Sequence, residues 1–225
     1  MIINNFDFIR DKLDFDWKGE YYIIFIILRK KDINEDSPEI SKLMIKNYNT
    51  HIDMHWHLYA DLTISKEEQA DDSRVIHKYY IYSKEMYDTY KDEIISMCNT
   101  LHCRAYIACQ KQCNALTWRS MRFCLQSTVD VEKCEAWPDR LSIFVINPIK
   151  TMKLLDLDDE QTRYKNYIIN DILKENFMYE TRSPHGFHLI YISSDEIERK
   201  IKKIFSHKVL HMPVTILYYN DHKDS

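Results

Sequence analysis

The segment that decides the fold is MKLLDLD, residues 152–158. In a β-strand, residues two apart lie on the same face, about 6.5–7 Å from each other. Asp156 and Asp158 are therefore expected to project together, while the leucines between and before them point into the core. Two carboxylates on one strand are typical of sites that bind divalent metal ions for phosphoryl chemistry. The alternative is that Asp158, three residues before Gln161, caps a helix.

A second segment, MYETRSPHGFHLIYI at residues 178–192, predicts a β-hairpin with Ser, Pro and Gly in its turn. Such a turn can present backbone N–H groups to a phosphate. Ser183 and Gly186 are therefore candidate nucleotide-binding residues. His188, at the start of the second strand, could donate a hydrogen bond to the same anion, and Arg182 would add positive charge. The alternative is an ordinary hairpin followed by a histidine.

Strands and helices alternate through the rest of the chain, with no long all-strand or all-helix section. This alternation predicts an α+β or α/β fold in which helices pack on a mixed sheet. No repeat or linker marks a boundary, so we expect a single domain, residues 1–225. The further predicted strands are 20–30, 75–82, 104–109 and 214–219, and the predicted helices follow Ser83, cover 115–126, begin near Glu160 and follow Ser193.

Two details of the predicted helices follow from residue spacing. Ser193 and Glu196 form a capping box, which would open the last helix. In the helix near Glu160, three-and-four spacing places four side chains on one side, namely Tyr164, Tyr167, Ile168 and Ile172.

Composition limits the class of protein. The 225 residues are 45% hydrophobic and 29% charged with a net charge of -4, which excludes a disordered, collagen-like or coiled-coil chain. The longest apolar run, Tyr21 to Leu28, is too short to span a bilayer as a helix. The first residues do not have the pattern of a signal peptide. We therefore expect a cytoplasmic protein with no membrane partner, in the host cytoplasm if a phage encodes it.

Two other groups of residues have metal-ligating side chains. Of the four cysteines in residues 98–113, only Cys109 and Cys113 have the spacing of zinc ligands, and no second pair follows them. This favours reduced, packed thiols over a zinc site. The histidine group favours a polar loop over a metal site, because no general-base glutamate has the spacing of a zinc peptidase. The members are Cys98, Cys103, Cys109 and Cys113, and His51, His55 and His57.

Residues 94–129 contain no acidic side chain but four basic ones, Arg104, Lys111, Arg119 and Arg122. Basic residues interleaved with aromatic ones can contact a nucleic-acid backbone and stack on bases. The four are therefore candidate nucleic-acid-binding residues on one face of an otherwise acidic protein. The alternative is an ordinary solvated helix face.

The two central segments, in this order, resemble the catalytic core of the archaeo-eukaryotic primase superfamily, which includes the primase-polymerases. The shared pattern is a strand ending in Asp-x-Asp, a helix, and a Ser/Gly turn leading to a strand-borne His. The strings RKKD (29–32), SRVIHKYYI (73–81), RAYI (104–107) and TILYY (215–219) look like those of small phage and bacterial proteins with the same motifs. The resemblance implies an RRM-like unit, 140–225, joined to an N-terminal α/β unit, 1–130.

The resemblance also implies an activity and a set of roles. Asp156 and Asp158 would be catalytic ligands of Mg²⁺ or Mn²⁺, and His188 would contact the phosphates of a nucleoside triphosphate. The third acid of the family has two candidates here, Asp221 and Asp195. The implied function is primase- or polymerase-like nucleotidyl transfer on a DNA or RNA template in DNA replication, with a helicase or another replication protein as a candidate partner.

Three alternatives stay open on the sequence alone. The first is a non-catalytic module of the same fold that binds nucleotide or nucleic acid. The second is a metal-dependent phosphoesterase or nuclease, because paired acids with a histidine also serve hydrolysis. The third is an interaction protein without chemistry.

Overall fold

The computed structural model describes residues 1–15, 19–29, 73–113, 152–205, 209–210 and 214–221. Three of the sequence predictions lie outside these residues: the helix at 115–126, the basic pair Arg119 and Arg122, and the histidine group His51, His55 and His57. None of the helices in the described part of the chain has the length and apolar character that a membrane crossing requires.

The described strands and helices succeed one another along the chain. The strands are β1 (Ile2–Asn4), β2 (Glu20–Arg29), β3 (Ser73–Ile81), β4 (Arg104–Ala108), β5 (Gln112–Cys113), β6 (Met152–Asp158), β7 (Phe177–Ser183), β8 (Gly186–Ile192), β9 (Val209–Leu210) and β10 (Val214–Asn220). The helices are α1 (Phe6–Lys12), α2 (Lys84–Leu101) and α3 (Asp195–Ile204), with an irregular helical segment at 159–176.

The first sheet has the strand order β1-β10-β4-β2-β3, and β5 pairs with one end of β2. Strand β2, which lies between β4 and β3, is buried on both faces because its side chains alternate between two apolar clusters. Ile24 and Ile26 pack against α1 and α2, whereas Ile23 and Phe25 pack on the opposite face. The predicted buried strand at 20–30 is thus confirmed.

The second sheet has the order β7-β8-β6-β9. Along the chain its elements follow as β-α-β-β-α-β, which is the split β-α-β arrangement. Leu155 and Leu157 of β6 pack under the helical segment and α3, together with Leu189 and Tyr191 of β8. The leucines of the Asp-x-Asp strand therefore point into the core, as predicted.

The α+β class is confirmed, but the expectation of a mixed sheet is wrong for the described residues, where every strand pair is antiparallel. Both helix details also need correction. The N-cap of α3 is Ser194, which accepts a hydrogen bond from the backbone N–H of Ile197, while Ser193 donates to Glu198. Ile168 and Ile172 are buried as predicted. Tyr164 and Tyr167 are exposed, because the 3₁₀ and π turns of residues 159–176 break the 3.6-residue period.

Gly186 is required because β8 passes close to the backbone of β6 at this position. Its φ of 152° lies in a region that favours glycine, and a Cβ added there would be 1.9 Å from the carbonyl oxygen of Leu157. We expect Gly186→Ala to lower the free energy of unfolding by about 3 kcal/mol, through backbone strain and overpacking. Chemical denaturation measures this loss.

The matched control for this prediction is Arg182→Ala in the same hairpin. Arg182 is exposed, so its removal should change the free energy of unfolding by no more than about 0.5 kcal/mol. Equal unfolding midpoints for Gly186→Ala and wild type would contradict the close approach of β8 to β6.

Candidate functional site

Asp156 and His188 lie directly opposite each other on neighbouring strands. The antiparallel register of β6 and β8 pairs them, and Asp156 Oδ1 is 3.6 Å from His188 Nε2. On the other side of β8, Thr181 of β7 is paired with His188. Because directly opposed residues of antiparallel strands share a face, Asp156, His188 and Thr181 form one row across three strands.

Asp158 is on the same face, two residues beyond Asp156. Its carboxylate is close enough to His188 to act on it electrostatically, favouring the charged form of the ring. Asp158 stands at the N-cap position of the helical segment, yet its side chain makes no capping hydrogen bond. The capping alternative therefore does not account for this carboxylate.

The His188 ring is buried between the two sheets. Its Nδ1 is 2.9 Å from Thr215 Oγ1 on β10, a strand of the first sheet. Burial lowers the pKa of His188 to about 4, and the opposing effect of the Asp158 carboxylate is smaller. The imidazole is therefore neutral at pH 7, and its contact with Asp156 is not an ion pair.

The site lies where the two sheets meet. The side-chain amide of Asn5 donates to the carbonyl of Arg182 in β7 at 3.1 Å and to that of Ile216 in β10 at 2.9 Å. Cys109, which directly follows β4 of the first sheet, packs against Leu154 and Ile190 of the second sheet in a small apolar cluster. The position of His188 relative to Thr215 thus depends on contacts between both halves of the fold.

The nucleotide-binding residues predicted in the hairpin do not all lie on the same face of the sheet. Ser183 alternates with Thr181 and is on the same face of the sheet as His188. Arg182 is paired with Phe187, so it is exposed on the opposite face and does not lie beside His188. Gly186 has a structural reason for being glycine, which is its close approach to Leu157.

Two predicted nucleic-acid-binding residues do not belong to an exposed basic surface. Arg104 is only 5% exposed, and its guanidinium lies 4.1 Å from the ring centre of Tyr219. Because side chains alternate along a strand, Arg104 lies on one face of the first sheet and Thr215 lies on the other face. Lys111 forms ion pairs with Glu20 at 3.1 Å and Asp14 at 3.4 Å.

Neither candidate for a third acid reaches the site. Asp221 directly follows β10 and is six residues beyond Thr215, which separates the two by about 20 Å along the strand direction. Its backbone N–H donates to the carbonyl of Met1 at that far end. Gly186 is the first residue of β8, whereas Asp195 begins α3 just beyond the last residue of that strand. Asp195 therefore lies near the other end of β8. The prediction of Asp221 as a metal ligand is therefore not supported by its position.

Within the ranges that the structure describes, no group of three or more His, Cys, Asp or Glu side chains is arranged to hold a metal ion. Cys98, Cys103 and Cys109 are buried, free thiols. Burial raises the pKa of Cys109 to about 12, so this thiol stays protonated at neutral pH.

Sequence reasoning missed Thr181 and Thr215. Neither belongs to a motif, but Thr215 is a small polar residue in the otherwise apolar and aromatic strand VTILYY, and it is fully buried. Such a residue normally has a hydrogen-bond partner. In comparisons with known proteins, no family model, curated protein or solved structure matches the chain.

The burial of Arg104 leads to a prediction about stability. We expect Arg104→Ala to lower the free energy of unfolding by about 2 kcal/mol, because it removes both the packed stem and the contact with Tyr219. Urea denaturation measures the loss. The control is Arg163→Ala, which removes an exposed guanidinium over the exposed ring of Tyr164 and should cost no more than about 0.5 kcal/mol. An Arg104→Ala protein as stable as wild type would indicate an exposed arginine.

Proposed function

We propose that the protein is a metal-dependent nucleotidyltransferase of the primase-polymerase type. The observation that carries this proposal is the placement of Asp156, Asp158 and His188 on one face of two adjacent strands, at the junction of two sheets. Both halves of the motif pair that resembles the primase superfamily thus meet at one place.

The topology of the second sheet supports the proposal. The resemblance implies an RRM-like unit, and the chain forms a four-stranded antiparallel sheet with β-α-β-β-α-β succession. The acids are on β6 and the histidine is on β8, which are the two central strands. A central position gives each side chain a neighbouring strand on both sides, which fixes its direction.

The two carboxylates fit magnesium or manganese. These ions prefer oxygen ligands, and Mg²⁺ is commonly held by one or two carboxylates, with substrate phosphates and waters completing the coordination. Asp156 and Asp158 supply such a pair without a third protein ligand. When bound, the ions would neutralise the charge of the reacting phosphate oxygens.

His188 would hold the triphosphate. A neutral imidazole can donate one N–H to a phosphate oxygen, and burial between the sheets restricts the ring to one orientation. A fixed donor of this kind contributes by positioning the substrate and by stabilising negative charge. Of the predicted template contacts, Arg119 and Arg122 remain proposals, since the charges of Lys111 and Arg104 are engaged within the fold.

Nucleotide incorporation tests the proposal directly. The purified protein is incubated with primed or unprimed template, labelled ribo- or deoxyribonucleoside triphosphates, and Mg²⁺ or Mn²⁺. We expect products longer than the primer, or new short strands without a primer. Asp156→Asn and Asp158→Asn should each reduce the rate by about 100-fold or more, and His188→Gln by about 10-fold to 100-fold.

The control for loss of a carboxylate is Asp171→Asn, which changes an exposed acid on the helical segment and should keep the wild-type rate. Shortened strands would indicate a nuclease. Binding of template or nucleotide that survives the Asp156→Asn and His188→Gln changes, with no product, would indicate the non-catalytic module. Either result would contradict the proposed polymerase.

Metal binding can be tested separately from catalysis. At a Mn²⁺ concentration of about 100 times the dissociation constant, binding adds about 2.7 kcal/mol to stability, which for a chain of this size raises the Tm by about 5 °C or more. We expect this shift for wild type and for Asp171→Asn, and its loss in the Asp156→Asn/Asp158→Asn double variant. An equal rise in Tm in the double variant would mean that Mn²⁺ binds at a different site.

A further inference from the structure

A group of cations and aromatic rings lies on the face of the second sheet that carries the helical segment. Lys165 Nζ is 4.0 Å from the ring centre of Phe187 on β8. Arg182 of β7 is paired with Phe187, which brings their Cβ atoms to about 4.5–5.5 Å. Arg163 lies over the ring of Tyr164, 4.8 Å from its centre. We call these residues together the basic-aromatic surface.

Three members of the basic-aromatic surface are open to solvent. Arg163 and Arg182 are exposed, and the Tyr164 side chain is 39% exposed. Lys165 is ion-paired with Glu180 at 2.9 Å, whereas neither arginine is ion-paired with an acid among the described residues. Both guanidinium groups are therefore available to an anion from solution.

The basic-aromatic surface is at the end of the second sheet where the proposed metal ligands lie. The helical segment begins directly after Asp158, and Phe187 is paired with Leu157, the residue before it. Tyr164 contacts Phe205 just beyond α3, with ring centres 6.2 Å apart. Because consecutive residues of a strand point to opposite faces, Phe187 and the site are on opposite faces at the same end of the sheet.

Further basic side chains lie near the same end. The last turn of α3, next to the ring contact with Tyr164, contains the exposed Lys202 and Lys203. Residues 161–170 include two basic side chains and no acidic one, and the acids Asp159 and Glu160 stand before them, beside the site. A polyanion that contacts the two exposed arginines is therefore close to additional positive charge on α3.

The chemistry of this surface fits a single-stranded nucleic acid. Basic side chains bind the phosphates of such a strand, and exposed aromatic rings stack on its bases. Bases of a duplex are already paired and stacked on each other, so a protein ring stacks on unpaired bases. A single nucleotide held by His188 is separated from this surface by β8 itself. The ligand must therefore be a strand long enough to pass around the end of the sheet.

We propose that the basic-aromatic surface binds single-stranded DNA or RNA where the strand passes the end of the second sheet toward the site. Arg163 and Arg182 contact phosphates, and Tyr164 stacks on an unpaired base. The identification of this strand as the template rests on the proposed function, whereas the binding of a single strand does not.

Strand binding is measured without any activity, by fluorescence anisotropy of a labelled single-stranded oligonucleotide with the full chain, in the absence of metal and nucleotide. We expect the Arg163→Gln/Arg182→Gln variant to bind about tenfold or more weakly at low salt, because two phosphate contacts and their released counterions are lost. The slope of log Kd against log[salt] should decrease by about 1.4, which is about 0.7 for each contact with a single strand.

The matched control is Lys12→Gln/Lys84→Gln. Lys12 is also a cation over an exposed ring, 5.3 Å from the centre of Phe8, but Asp7 and Asp11 belong to the same helix α1. The control removes the same net charge, and we expect its Kd and salt slope to equal those of wild type. An equal loss of affinity in the control would overturn the proposal, since the charge of the whole protein would then account for binding.

Base stacking is tested at Tyr164. Tyr164→Leu should weaken binding about tenfold, and Tyr164→Phe, which keeps the ring, should bind like wild type. An abasic strand should bind wild type and Tyr164→Leu equally, because it has no base to stack. Wild type that binds the abasic strand as tightly as the intact one, or a duplex more tightly than a single strand, would contradict a surface for single strands.

Nucleotide incorporation separates this proposal from the proposed function. In an active protein, Arg163→Gln/Arg182→Gln should raise KM for the template about tenfold and leave KM for the nucleoside triphosphate unchanged. Wild type that binds single strands through these arginines but makes no product would contradict the polymerase and support the surface. Product formation with an unchanged Kd and template KM in the double variant would support the polymerase and overturn the surface, as would a wild type that binds no strand.

Discussion

The direct pairing of β6 with β8 is the constraint on which the candidate site depends. It places Asp156 opposite His188, and the same register places Asp158 opposite Gly186. The two strands can approach this closely because residue 186 has no side chain to meet the carbonyl of Leu157. A slip of one residue would move the alternate residues of β6 to the wrong faces, exposing its leucines and burying its acids. The apolar core under the sheet and the polar site above it therefore require the same register.

Contacts between the sheets give the histidine its environment. Thr215 and Ile216 belong to β10, which also forms part of the core of the first sheet, so the ring of His188 is fixed by a strand whose position is set elsewhere. Asn5 donates to a backbone carbonyl of β10 and to one of β7, the strand that lies beside β8. Because these bonds are between the sheets, the chemistry of His188 depends on the fold of both halves of the chain.

Local patterns explain which parts of the molecule the sequence could predict. Period-two alternation in 152–158 and 178–192 is a property of neighbouring residues, so the three strands of these segments and the shared face of the two acids were predictable. Thr215 is 27 residues from His188, and nothing in either segment indicates that they meet. The predicted face of the helical segment at 159–176 is right for Ile168 and Ile172 but wrong for its two tyrosines, because the 3₁₀ and π turns depart from helical spacing. Arg104 was assigned to a surface because composition cannot distinguish an exposed charge from one buried over Tyr219.

Stability alone does not account for this arrangement. Two carboxylates next to a histidine would stabilise the fold as an ion pair only if the ring were charged, and the burial that holds the ring between the sheets makes it neutral at pH 7. The charge of Asp156 and Asp158 is thus not neutralised by His188, and the side chain of Asp156 is 40% exposed. Like charges two residues apart on one strand face repel each other, so the placement of Asp156 beside Asp158 is not itself a stabilising interaction.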